Sequence, residues 1–258
     1  MTEGPKELII PGWRVPPQVK SLVTTRLGGI SPEPWRSFNL GANTEDSWQN
    51  IQANRALLST HLPSGLKVQW LKQVHGSNYF TADAETSAIL PTADICYSSS
   101  SGVACAVLTA DCLPILISNS EGTEVAAVHA GWRGLVDGVL ARALASFSSP
   151  AKDLSIWIGP AISLDAFEVG REVVEAMLQA ELFKADELDS LSKQHQTDLN
   201  KIYLDLYGIA RNKLLSLGVE HISGGQYCSY FDAERFYSYR RDGETGRMAS
   251  LIWIDAQS

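Results

Sequence analysis

Three side chains able to hold a metal stand at the ends of apolar runs. They are His75 in Lys72-Gln73-Val74-His75-Gly76, Cys112 in Thr109-Ala110-Asp111-Cys112-Leu113-Pro114, and His129 in Val128-His129-Ala130-Gly131-Trp132-Arg133-Gly134. Strand ends bordering loops are where a scaffold commonly displays chemistry. Two imidazoles and a thiolate, with a fourth position left for water or substrate, make the three-ligand set of an open catalytic zinc site. Such an ion lowers the pKa of a water it holds to about 7 and polarises a substrate atom. The spacings, 37 positions from His75 to Cys112 and 17 from Cys112 to His129, form no compact motif. Residue types alone therefore also allow an ordinary buried cysteine and two histidines satisfied by backbone partners. A nucleophilic Cys112 with His75 or His129 as base is a third reading, because a thiolate needs only such a partner.

Gly76, Gly131 and Gly134 let backbone approach a ligand closely. Arg133 falls in the first turn expected of a helix from Leu135, where a helix start and a guanidinium together suit phosphate. The same segment also reads as a plain strand-to-helix turn. Near the C-terminus, Asp242-Gly243 and Thr245-Gly246 suggest a tight hairpin between two strands. Arg240, Arg241 and Arg247 around that turn could serve an anionic group, or could be charges that discourage edge pairing. Neither Thr24 to Gly29 nor Ser37 to Gly41, both polar and glycine-bearing, resembles a Walker loop or a dinucleotide fingerprint.

The elements that must position these groups are legible as patterns. Segments rich in β-branched and aromatic residues predict strands at Val19 to Thr25, Leu66 to Leu71, Val103 to Thr109, Pro114 to Ser118, Val125 to His129, Leu154 to Ile158, Phe236 to Arg240 and Met248 to Ile254. Helical spacing predicts helices over Ser47 to Leu58, Leu135 to Phe147, Val169 to Leu178 and Leu199 to Leu217, the last capped by Asp198 and closed by Gly218. Lys184 to Gln196 reads as a surface connection. Several consecutive strands lack an intervening helix, so a doubly wound βαβ sheet fits poorly. The expectation is an α+β fold of mixed β-sheets layered with helices, one catalytic domain over residues 1–258, with no repeat or heptad from which an oligomeric state would follow.

Composition bounds the function. A chain of 258 residues that is 45% hydrophobic can bury a large core. Its net charge of -8 argues against broad capture of nucleic acid or of an anionic membrane, which both need a basic field. No run reaches the roughly 20 apolar residues of a membrane-spanning helix. The acidic, proline-bearing start does not read as a secretory leader. Four cysteines without a CxxC pair predict a reducing, cytoplasmic setting.

Taken together, these residues resemble the YfiH-like laccase-domain family, whose members go by polyphenol oxidase and by purine nucleoside phosphorylase. The elements run in family order: TTRLGG (24–29), SFNLG (37–41), KQVHG (72–76), TADCLP (109–114), HAGWRG (129–134), IGPAI (158–162), FEVG (167–170) and SYRRDGETGRMAS (238–250). The resemblance covers nearly the whole chain. It implies a layered fold, a zinc held by His75, Cys112 and His129, and activity on purine nucleosides. That activity is phosphorolysis with inorganic phosphate, including that of methylthioadenosine, and deamination of adenosine to inosine. It also carries over Arg26, Asn39, Gln73 and Arg133 as pocket residues, with Arg240 and Arg241 beside them. The chain departs from the family at Ser163 to Phe167, where relatives carry a glycine, proline and cysteine, and at Phe231, where a second cysteine often stands.

One open metal site suits both reactions: arginines can hold phosphate while a Lewis acid stabilises charge, and an activated water can displace an amine. Asp111, beside a ligand, is the candidate for moving a proton or for orienting a histidine. Copper-dependent oxidation of phenols is the rival. A multicopper oxidase needs many histidines, commonly in HxH pairs, and this chain has five histidines and no such pair. A cytosolic amidase that edits peptidoglycan precursors is the third class.

Overall fold

Nearly every position of Val103–Thr109 is apolar, which requires a strand covered on both faces. The computed structural model describes residues 8–85 and 90–255 and shows what covers it. One mixed sheet has the order β1-β13-β5-β2, from β1 (Val19–Val23), β2 (Lys67–Gln69), β5 (Val103–Thr109) and β13 (Met248–Ile254). A six-stranded mixed sheet packs on it in the order β12-β8-β6-β7-β4-β3. Its strands are β3 (Tyr79–Thr81), β4 (Ile95–Ser98), β6 (Leu113–Asn119), β7 (Val125–Ala130), β8 (Leu154–Ile158) and β12 (His221–Gly224). A small antiparallel sheet, β10-β11-β9, joins β9 (Glu168–Gly170), β10 (Ser192–Gln194) and β11 (Lys201–Leu204).

The period-2 alternation of strand side chains sorts the core into layers. Val103, Cys105 and Val107 of β5 meet Leu116, Ala127 and Trp157 of the larger sheet in the space between the two. Ala104 and Ala106 face outward onto Leu58 of helix α1 (Trp48–Ser59) and onto Phe38 and Leu40. On the far side, Ile115, Ile117, Val128, Ile156 and Ile158 pack under α2 (Trp132–Val136), α3 (Val139–Leu144), α4 (Arg171–Gln179) and α5 (Leu206–Ser216). The α+β class with mixed sheets and helices is as expected from the sequence. Among the described residues no helix is long and apolar enough to cross a membrane.

Four local expectations are corrected. Gly138, with φ 82°, splits the helix expected over Leu135 to Phe147 into α2 and α3. The helix expected from Leu199 begins only after Asp205, because Lys201–Leu204 pairs with strands on both sides and buries Ile202 and Leu204. Phe236 to Arg240 is no strand and forms no hairpin. The Ser238 hydroxyl instead accepts from Arg241 N and opens a short helix, α6 (Tyr239–Asp242). The connection expected at Lys184 to Gln196 contains a three-ten turn, Ala185–Ser190, and strand β10.

Candidate metal centre

β5 belongs to one sheet and β6 to the other, so Ala110 to Cys112 carries the chain from layer to layer. At this crossing Asp111 takes a left-handed backbone, φ 92°, and His75 does the same at φ 60°. For residues with a Cβ this costs about 1–2 kcal/mol each, and such strain concentrates at functional positions. On β7, Val128 and Ala130 face the helices, which turns His129 toward the space between the sheets. Leu113 pairs with Ala130, bringing Cys112 beside Gly131. A Cβ on Gly131 would lie 2.8 Å from Cys112 Sγ and 2.9 Å from the His75 ring, so only glycine leaves room for both side chains.

One ligand atom each from His75, Cys112 and His129 lies within 4.8 Å of the others. Tetrahedral zinc with bonds of about 2.0–2.3 Å holds two ligands about 3.3–3.6 Å apart, so side-chain movements of about 1 Å bring the group onto one ion. Asp94, fully buried, ties the centre together. Its carboxylate accepts from Val74 N (3.1 Å), His75 N (2.9 Å) and Gly76 N (2.9 Å) and meets His129 Nδ1 at 2.7 Å. That bond leaves Nε2 of His129 for a metal, in the pattern of a carboxylate-oriented histidine ligand. Burial alone would push the Cys112 thiol up, yet the charge and hydrogen bond of His129, with His75, bring it down to about 6. Burial opposes the charged form of His129 too, but the Cys112 thiolate and Asp94 raise it to about 9. Thiolate and imidazolium thus stabilise each other, and a divalent cation fits where that proton sits.

His75 is exposed and His129 buried, so the cluster opens on one side. It opens into a cavity of about 470 Å³, within the range of small-molecule sites. Leu71, Leu108 and Phe167 supply apolar wall, and Arg133, Arg240 and Arg247 supply charge. Asp111 is the only carboxylate among the described residues that line it. Within a protein of net charge -8 this is a locally cationic recess.

Residues 20–255 match the model of the family described as multi-copper polyphenol oxidoreductase laccase. The chain belongs to the YfiH-like laccase-domain family. It is 44% identical to the purine nucleoside phosphorylase YfiH of Escherichia coli over 96% of this chain and 99% of that one. It is 42% identical to a purine nucleoside phosphorylase of Pseudomonas aeruginosa, over 95% and 98% respectively. Among solved structures, a Neisseria meningitidis protein superimposes with a TM-score of 0.89 at 40% identity, covering 97% of this chain and 100% of that one. YlmD from Geobacillus stearothermophilus follows the same fold, with a TM-score of 0.85, 27% identity and coverage of 95% and 97%.

In this YfiH-like chain the residues singled out from sequence fall into two groups. Gln73, Asp111, Arg133 and Arg240 line the cavity with the three ligands. Gln73 is tied there by a reciprocal pair of bonds with the backbone of Leu108, at 2.7 and 2.8 Å. Arg133 lies over the Trp132 ring at 4.3 Å, on a helix of only five residues whose dipole is correspondingly small. Arg26, Asn39 and Arg241 do not line the cavity. Arg26 donates to Arg36 O and Ala233 O, and Arg241 to Ser229 O, Tyr230 O and Phe236 O. Asn39 is fully buried and holds backbone, including Arg247 N. Asp111 does not orient a histidine: its two oxygens accept from Ser229 Oγ (2.6 Å) and Arg240 N (2.7 Å). The orienting carboxylate is Asp94, which sequence reasoning missed; its only signal was an acid directly before the apolar run Ile95 to Tyr97.

Proposed function

We propose that this chain is a metal-dependent purine nucleoside phosphorylase, with zinc held by His75, Cys112 and His129, that also deaminates adenosine to inosine and phosphorolyses methylthioadenosine. The observation that carries the reading is the open His–Cys–His cluster facing a cavity whose wall bears arginines. The names of full-length relatives point the same way. The donor set suits zinc: two imidazoles, a thiol already biased toward thiolate, and a carboxylate behind one histidine. When bound, the ion supplies Lewis acidity next to the reacting atoms.

The chain's own groups do the positioning. Arginines of the wall hold phosphate against the anomeric carbon, which gains stability from charge-assisted, bidentate hydrogen bonds. An oxygen of phosphate bonds to that carbon as its bond to the base nitrogen breaks. The electron pair leaves with the purine, which takes up a proton. Asp111, which accepts from Ser229 Oγ and Arg240 N, is the wall's carboxylate and the group to which we assign proton movement. The apolar side chains Leu71, Leu108 and Phe167 flank the base and exclude water. In deamination, water replaces the exocyclic amine and ammonia leaves.

The family description names copper. Copper at this site would give one ion centre, since a single His/Cys cluster occurs among the described residues, whereas multicopper oxidation of phenols needs several. We place the protein in the cytoplasm; its four cysteines stay free. The test is product analysis with adenosine and inosine, with and without phosphate. Ribose 1-phosphate should form only with phosphate, and adenosine should give inosine without it. Cys112→Ala should abolish both and lose metal while circular dichroism is unchanged. A metal-free Cys112→Ala protein with full activity would sink the proposal.

A further inference from the structure

We propose that Arg247 is the phosphate-binding residue of the cavity and that residues 39–41 are its holder, an inference that rests on the phosphorolytic reading above. Arg247 directly precedes β13 and shares the cavity wall with Cys112. One of its terminal nitrogens donates to Thr245 O (2.7 Å) and Gly246 O (2.9 Å). Its other two nitrogens make no hydrogen bond, and no carboxylate forms an ion pair with it, among the described residues. Burial disfavours its charge; Cys112 and Asp111 pull the other way, as does Tyr239, over whose ring the guanidinium lies at 6.0 Å. A half-buried guanidinium on the cavity wall that no carboxylate pairs with directly is placed to receive an anion.

The other arginines of the wall differ. Arg240 and Arg133 are exposed, whereas Arg247 is half-buried. The holder is built around Arg247 alone. Asn39 Oδ1 accepts from Arg247 N (2.9 Å), Leu40 N donates to Arg247 O (3.2 Å), and Asn39 is itself anchored to Asp46 and Thr44. A Cβ on Gly41 would come within 2.6 Å of Arg247 Cγ, so the loop lies flush against the side chain's stem. Two free, parallel N–H directions on a fixed guanidinium match two oxygens of phosphate.

The test varies phosphate and inosine separately in the zinc-loaded enzyme. Arg247→Gln should raise KM for phosphate about ten- to hundredfold, the loss of a charge-assisted bond, with a much smaller change in KM for inosine. Guanidinium ion added to Arg247→Ala should restore part of the phosphate dependence. Gly41→Ala, which keeps the charge but displaces the stem, should move KM for phosphate in the same direction. Equal loss toward both substrates, or an unchanged KM for phosphate in Arg247→Gln, overturns the assignment. Wild-type protein that forms no ribose 1-phosphate would defeat the phosphorolytic reading instead. In that case thermal protection by inorganic phosphate, against chloride of equal ionic strength, still decides: protection of wild type lost in Arg247→Gln supports the site, and equal protection of both overturns it.

Discussion

Asp94→Asn should loosen the centre without removing any ligand. One carboxylate oxygen serves His75 N and His129 Nδ1, the other Val74 N and Gly76 N. An amide has one acceptor atom, so in either orientation its NH2 group is turned against two of these partners. Each charge-assisted bond contributes about 1.5–3 kcal/mol, and losing two amounts to about 3–6 kcal/mol as an upper range. Exposure of Val74 and His75 lets water recover part of it. At about 2–4 °C per kcal/mol for a chain of this size, a net loss of about half the lower figure lowers the melting temperature by about 3–6 °C. Zinc affinity should fall about 10- to 100-fold, because the bond that sets the His129 ring is lost. Chelator competition measures the affinity, and thermal unfolding of metal-free protein measures the stability. A variant with wild-type zinc affinity and an unchanged melting temperature would refute the assignment of Asp94 as the tie between His129 and the His75 loop.

Gly131→Ala should splay two ligands, since its Cβ would press on Cys112 Sγ and the His75 ring, while φ of -73° leaves the backbone unstrained. Zinc binding weaker by about tenfold or more with unchanged secondary structure is expected, and undiminished binding would show that the space is not needed. Glu124 governs acid stability. Burial pushes its carboxyl up, but bonds from Ser148 N (2.8 Å), Tyr97 Oη (2.7 Å) and Ser149 Oγ (3.0 Å) hold it below the ordinary value. Its contribution is therefore full above the unfolded carboxylate value of about 4.3 and is lost as pH falls through the lower folded one. Glu124→Gln should flatten the acid limb of denaturant unfolding, and an identical limb in both proteins would discount this network.

Strands buried on both faces were the most readable part of the sequence. Val103–Thr109, Leu154–Ile158 and Met248–Ile254 form where their apolar runs stand, because burial and β propensity agree there. Three-residue strands such as Tyr79–Thr81 and Ser192–Gln194 carry no such run and form through pairing with distant neighbours. Asp242-Gly243 looks like a hairpin, but the buried pair Phe236 and Tyr237 anchors the chain before it and Ser238 caps a helical turn. The ligand types were visible at His75, Cys112 and His129. Asp94 was not, because its meaning depends on four partners 18–20 and 35 positions away. Asn39 illustrates the converse. Its place in a glycine-bearing motif reads as contact with substrate, whereas its amide works on the backbone of Arg247.

The crossing at Ala110 to Cys112 has a mechanical consequence. Gln73 fastens the His75 loop to β5 in the four-stranded sheet, while His129 lies in the six-stranded one and Asp94 directly before its strand β4. An ion shared by these ligands would rivet the two layers at their margin, so its binding energy would also be adhesion between sheets. Substitutions deep between the layers, at Val107 or Leu116, should then shift metal affinity without coming near the ion, and chelation should speed hydrogen exchange first along that margin.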